Sequence, residues 1–149
     1  MNNYEVIFIF LILVLVLLIA YLITAKGDRK KIILVNSDGQ QIEIEVEIAN
    51  NSATKAKGLM GRISMAENDG MLFIFDNAGK YGFWMFNTSL ELEAIHFADN
   101  GTVVDIIQMK PNTISMYYPK NDSKYVLEVL TGFSKRNSIK IGKSSLIIE

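Results

Sequence analysis

Apolar and acidic residues alternate with period two along Ile42-Glu43-Ile44-Glu45-Val46-Glu47-Ile48, the mark of a strand with one buried and one solvated face. Ile32 to Val35 reads as its partner strand. Asp38-Gly39 between them reads as a two-residue hairpin turn, because both residues tolerate positive φ. That turn sets Val35 opposite Ile42 and Ile33 opposite Ile44 on the buried side, with Lys30 opposite Glu47 on the other. The acidic row Glu43, Glu45, Glu47 is then a solvated face rather than a cation site. A different pattern precedes all this: Val6 to Ala25 is twenty residues without a charge. As a helix such a run is about 30 Å long, the hydrocarbon thickness of a bilayer. The pattern predicts a transmembrane anchor over residues 1–25, a basic juxtamembrane linker over 26–31 and one β-rich domain over 32–149.

Beyond Ile48, Asn51-Ser52 offers an N-cap for a short helix over Ala53–Lys57, ending near Gly58 or Gly61. Gly70-Met71-Leu72-Phe73-Ile74-Phe75 is a continuous apolar run, as expected of a strand covered on both faces, and Phe83-Trp84-Met85-Phe86 reads as another. Glu91–Ala98 and Thr102–Met109 flank the turn Asp99-Asn100-Gly101 as a second hairpin. Lys110–Lys124 holds both prolines and is the longest irregular connection, the one expected to border a site. Tyr125–Leu130 is a strand, Thr131 caps a short helix to about Asn137, and Leu146-Ile147-Ile148 is a last strand. The fold class is therefore mainly β: a compact β-barrel or rolled antiparallel sheet with one or two short helices, behind an N-terminal transmembrane helix.

Charge and cysteine narrow the function. With Glu5 set aside, the 16 acidic residues leave 15 against 15 Lys and Arg. A neutral domain without an aromatic-plus-basic platform argues against nucleic acid as a partner. The absence of cysteine excludes disulfides, thiolate metal sites and cysteine nucleophiles. The segment before Glu5 carries no Lys or Arg, and Ile23, the third residue back when Ala25 at the end of the apolar run is counted first, is bulky; both favour an uncleaved anchor over a cleaved leader. Membrane lipid is thus the expected partner of residues 6–25. Lys26, Arg29, Lys30 and Lys31 follow the helix, which read literally places the domain in the cytoplasm.

The ordered set Lys57-Gly58-Leu59-Met60, Arg62, Gly70-Met71-Leu72-Phe73, Phe83-Trp84-Met85, Asn87-Thr88, Tyr125-Val126-Leu127-Glu128 and Arg136-Asn137 resembles the family called domain of unknown function 192. The resemblance spans most of residues 42–142 and implies a small β-rich barrel, commonly carried behind a leader or anchor, with no known reaction. It also implies export, which opposes the charge argument and puts the expected location of the domain outside the cytoplasm. Two departures stand out. The family's Pro-Leu-Asp after Asn-Thr is Glu91-Leu92-Glu93 here, and its late Gly-Asp is Gly142-Lys143.

Candidate chemistry is sparse. Glu93 shares a strand face with Ile95 and Phe97, so its carboxylate needs a partner, and Arg62 is the candidate; leaving either buried charge alone costs about 3–5 kcal/mol. Trp84, with Phe83, Phe86, Met60 and Met85, lines an apolar pocket or packs as core, and Asn87 and Thr88 supply hydrogen bonds at its rim. Asn87-Thr88-Ser89 is a glycosylation sequon that matters only in a glycosylating lumen. His96, the single histidine, lies with Leu92, Ala94 and Ala98. Together with the methionines it would suit copper(I), although scattered methionines are ordinary core fillers. No nucleophile elbow, zinc-protease, phosphate-loop or dinucleotide motif occurs, and no cofactor is implied. The reading is a membrane-anchored, non-enzymatic binding module for a small molecule, peptide or envelope component, with ligand residues Arg62, Trp84, Asn87, Thr88 and Glu93. The alternatives are a hydrolase or lyase using Glu93 with Asp69, and a structural partner of another membrane protein.

Overall fold

The structure, a computed structural model, describes the backbone of residues 3–24 and 29–147 and the side chains of 4–18 and 29–147. Ala25 at the end of the expected anchor, Lys26 of the linker and Ile148 of the last strand lie outside the described residues. Helix α1 covers Asn3–Thr24, and its described side chains, Tyr4 to Leu18, are exposed. Among the described residues no helix is long and apolar enough to cross a membrane.

Seven strands form one sheet: β1 (Arg29–Val35), β2 (Gln41–Ala49), β3 (Asp69–Gly79), β4 (Leu92–Phe97), β5 (Val103–Met109), β6 (Ser123–Leu130) and β7 (Ser145–Ile147), in the order β5-β4-β6-β3-β2-β1-β7. The sheet curls into a half-barrel. Its two edges meet at one end, where Thr102 bridges Ser145, Val103 N donates to Ser144 O at 2.9 Å and Leu146 N to Gly101 O at 2.8 Å. The roll is as expected, but not wholly antiparallel, since β2 and β3 run parallel. A parallel pair needs a crossover, and helix α2 (Ser52–Lys57) with the loop to Asn68 supplies it. Asn51 caps α2 in a capping box with Thr54, and Gly58 ends it, as its sequence predicts.

The first hairpin is out of step with the expected register by one residue: Val35 pairs with Gln41, Leu34 with Ile42, Ile32 with Ile44 and Lys30 with Val46. Asp38 is not in the left-handed region, so a type I′ turn does not form; only Gly39 has positive φ, +80°. The Asn36 side chain accepts from Asp38 N and Gln40 N, both at 2.9 Å, and holds a longer turn instead. One residue of slip exchanges the faces, so Leu34 and Ile32, rather than Val35 and Ile33, pack on the core shared with Ile44 and Val46. On the outer face the acidic row is paired: Lys31 with Glu43 at 2.7 Å, Arg29 with Glu45 at 3.2 Å and with Asp69 at 2.8 Å.

β3, β4 and β6 are covered on both faces. Leu72, Ile95, Phe97, Leu127 and Val129 belong to the core closed by Phe133 of helix α3 (Phe133–Arg136). Met71, Phe73, Leu92, Ala94 and Val126 belong to a second core closed by Leu59, Phe83 and Met85. At Gly70 β3 leaves no room for a side chain against β6, because a Cβ there would meet Glu128 O at 2.7 Å. Phe83–Phe86 is not a strand of the sheet. Phe83 and Tyr117 exchange backbone hydrogen bonds of 2.9 and 2.7 Å, and Met85 N reaches Thr113 O, so this run pairs with the long 110–122 loop. Phe83 and Met85 point inward, while Trp84 and Phe86 are 46% and 50% exposed.

Candidate functional site

The second core stops short of filling its side of the sheet. Between α2, β3, the 81–88 segment and β6 lies a cavity of about 500 Å³, within the range of small-molecule sites. Phe73, Phe75, Tyr81, Phe83 and Trp84 contribute aromatic walls, and Met60, Met85 and Met116 contribute thioethers. Tyr81 stacks on Phe75 with ring centroids 3.6 Å apart, and Phe73 meets Phe83 edge-on at 5.0 Å. Lys55 and Lys57 stand at the mouth on α2, with the Lys55 ammonium 4.7 Å from the Phe75 ring centroid. From the 110–122 loop Met116 lines the cavity, and the loop packs on Gly82, where a Cβ would meet Met116 Cε at 2.8 Å and Tyr118 Cε1 at 2.6 Å.

Glu128 also lines this cavity. It sits mid-strand on β6, between Met71 of β3 and Ala94 of β4, and is 4% exposed. Its carboxyl group makes no hydrogen bond or ion pair among the described residues, and burial pushes its pKa up to about 8. The group is therefore mainly a neutral acid at pH 7. Sequence reasoning quoted Glu128 within a family motif but did not select it. The available signal was a lone acid inside the apolar run Tyr125–Leu130, which as a doubly covered strand has no solvated side for it.

The five expected site residues do not form one site. Trp84 and Thr88 line the cavity; Arg62, Asn87 and Glu93 do not. The Arg62–Glu93 pair is absent. The Arg62 guanidinium Nη2 instead bonds Glu47 on the outer face of β2. The Glu93 carboxylate accepts from Gly132 N at 3.1 Å and Ser134 N at 2.5 Å. It thereby does for α3 what Thr131 was expected to do, since Gly132 at the N-cap has φ +89° and no side chain to cap with. Asn87 takes φ +49°, and its carbonyl accepts from Gly61 N at 2.8 Å. Thr88 accepts from Asn112 N at 3.0 Å through its carbonyl, so Asn87-Thr88 ties together the two loops flanking the cavity. Asp69 is paired with Arg29, and neither it nor Glu93 lines the cavity.

His96 is fully buried beneath the cavity wall, its ring edge-on to Phe83 at 5.8 Å. Nδ1 is 3.1 Å from Ser123 Oγ, and Nε2 has no partner. Desolvation lowers its pKa to about 4, against the opposing pull of Asp105, so the ring is neutral at physiological pH. Among the described residues no cluster of His, Asp and Glu is placed to hold a metal, and His96 is not a lining residue of the cavity to which Met60, Met85 and Met116 belong. A second cavity of about 430 Å³ opens on the other face beside Ile32, Ile48 and Ile74. Its Lys31 and Glu43 are already paired with each other, which leaves the Glu128 cavity as the candidate site.

A curled, mainly β sheet with short helices is a fold shared with other small domains. The model of the domain of unknown function 192 family, described as an uncharacterized ACR, matches residues 33–147, and the chain belongs to that family. It is 32% identical to a UPF0127 protein of Pyrococcus abyssi over 118 residues, which is 74% of this chain and 92% of that one. A solved structure from Sinorhizobium meliloti, described as a proposed transcription regulator, superimposes with a TM-score of 0.77 at 28% identity, covering 82% of this chain and 95% of that one. A protein of unknown function from Novosphingobium aromaticivorans superimposes with a TM-score of 0.76 at 25% identity, covering 82% and 86%.

Proposed function

We propose that this protein is a membrane-anchored binding module whose domain, held outside the cytoplasm, takes a small molecule in the Glu128 cavity. The observation that carries this reading is the cavity itself: about 500 Å³ of mainly apolar wall with one buried carboxyl left without a protein partner. Buried polar groups are normally satisfied, so a lone acid facing open space is placed to meet something that enters. The uncharged run from Val6 to Ala25 supports the anchor. The balanced charge of the domain supports a small ligand over nucleic acid. An enzyme using Glu93 and Asp69 is disfavoured by the commitment of each carboxylate to its own structural partner.

The chain contains a single tryptophan, and it lines the cavity, so Trp84 emission reports occupancy. Small aryl probes such as benzyl alcohol are expected to shift it saturably. Filling the mouth with Ala56→Phe, at an exposed helix position, is expected to abolish the shift while leaving the melting temperature within a few degrees of the parent. Equal probe binding by both proteins would remove the cavity as the site. Sidedness is tested separately. A single cysteine at Asp38 or Asn100, in a chain that has none, is expected to react with an impermeant reagent on intact cells, and reaction only after lysis would place the domain in the cytoplasm.

A further inference from the structure

We infer that the Glu128 cavity is built for an organic ammonium ion carried on an apolar body. This rests on the binding reading above and adds the charge of the ligand to it. Two independent features of the cavity converge on that chemistry. The first is the floor. Glu128 is the one carboxyl that lines the cavity, is 4% exposed, and has no hydrogen-bond or salt-bridge partner among the described residues. A desolvated acid of this kind gains most from a ligand that brings its own positive charge, because an ion pair formed away from water is screened far less than one at the surface. The second is the wall. Phe73, Phe75, Phe83 and Trp84 line the same space, and aromatic rings attract cations, most of all when the cation is desolvated. Phe75 is already engaged within the protein, stacked by Tyr81 at 3.6 Å with the Lys55 ammonium 4.7 Å from its centroid, so the rings left for a ligand are the other three.

The charged and titratable groups facing the site define how the ligand binds. From α2 come Lys55, half-buried over Phe75, and Lys57, which is exposed; from the segment after β3 comes Tyr81. On β4 lies His96, which burial keeps neutral above about pH 4. Nearest to Glu128 on the flanking strands are Met71 and Ala94, which carry no charge. No other acid lines the cavity, so the Glu128 carboxyl is the one negative charge available there to an incoming cation, set against the ammoniums of Lys55 and Lys57. Since that carboxyl is protonated until about pH 8, capture of a permanent cation releases a proton. Affinity then rises about ten-fold per pH unit below that value and levels off above it. An anionic ligand gives the opposite slope, because it needs the acid neutral.

The test is a titration of the full-length protein in non-ionic detergent, followed by Trp84 emission, with benzyltrimethylammonium, phenylacetate and benzyl alcohol from pH 6 to pH 9. The expected result is affinity for benzyltrimethylammonium that climbs about ten-fold per unit up to pH 8, exceeds that for phenylacetate throughout the upper range, and loses both strength and slope in Glu128→Gln. The slope in the parent protein tests the inference even if that variant folds poorly. A flat profile, tighter binding of phenylacetate, or unchanged ammonium binding in Glu128→Gln overturns it. Binding of benzyl alcohol with no preference for the ammonium overturns this inference alone, whereas no response to any probe overturns the binding reading as well.

Discussion

Replacing Glu128 by Gln is expected to change how folding stability depends on pH more than it changes the fold. In the native protein burial raises the carboxyl pKa to about 8 from the 4.5 of a solvated glutamate. Between those values the folded state holds a proton that the unfolded state releases. Stability from this group is thus fully present below pH 4.5 and is lost as pH rises through 8. At 1.36 kcal/mol per unit the full interval is worth about 5 kcal/mol as a ceiling, and water entering the open cavity reduces it. His96 works in the other direction. Its folded pKa, lowered to about 4 from 6.5, makes stability fall as pH drops below 6.5. Between pH 4.5 and 6.5 the two slopes oppose each other, so the parent is expected to show a plateau there and a decline from pH 6.5 to 8. Glu128→Gln keeps the shape of a neutral acid without its ionisation. It is expected to match the parent to within about 1 kcal/mol near pH 4.5 and to exceed it by about 2–5 kcal/mol at pH 8.5. Urea unfolding followed by far-UV circular dichroism across this range measures the difference. Parallel curves for parent and variant from pH 6 to 9 would refute a desolvated acid at the cavity floor.

Glu93→Ala removes the acceptor for the Gly132 and Ser134 amides and is expected to destabilise by about 1–3 kcal/mol, read as lost protection of those two amides in hydrogen exchange; Arg62→Ala should leave them protected. Gly70→Ala drives a Cβ to 2.7 Å from Glu128 O between two packed strands. A marked drop in melting temperature is expected, and a parent-like melt would show that β3 and β6 separate easily. His96→Gln removes the histidine's opposing slope and is expected to turn the plateau between pH 4.5 and 6.5 into a rise in stability as pH falls, and an unchanged plateau in the same urea series would assign the acid-side balance to other groups.

Local pattern carried much of the fold. The capping box at Asn51, the doubly covered run from Gly70, the hairpin around Asn100 and the alternation of Ile42 to Ile48 all produce elements where their side-chain periods and turn residues dictate, because those interactions lie within a few residues of one another. The family was legible for the same reason, through short motifs in a fixed order. What depended on distant neighbours was not legible. Ile32-Ile33-Leu34-Val35 is apolar on both faces, so alternation cannot choose a register, and the Asn36 side chain chose it. Glu93 and Arg62 are each a buried or half-buried charge in search of a partner, but sequence holds no distance between them; β4 delivers Glu93 to the α3 amides and the post-α2 loop delivers Arg62 to Glu47. Phe83 to Phe86 has a strand's composition, yet its partners are Tyr117 and Thr113 of the long loop rather than a strand of the sheet, a pairing between segments distant in sequence. Glu128 shows the division most clearly. A lone acid in an apolar run was visible to anyone reading the chain, but whether it meets a basic partner or lines a cavity depends on which strands flank β6, and only the curled sheet decides that.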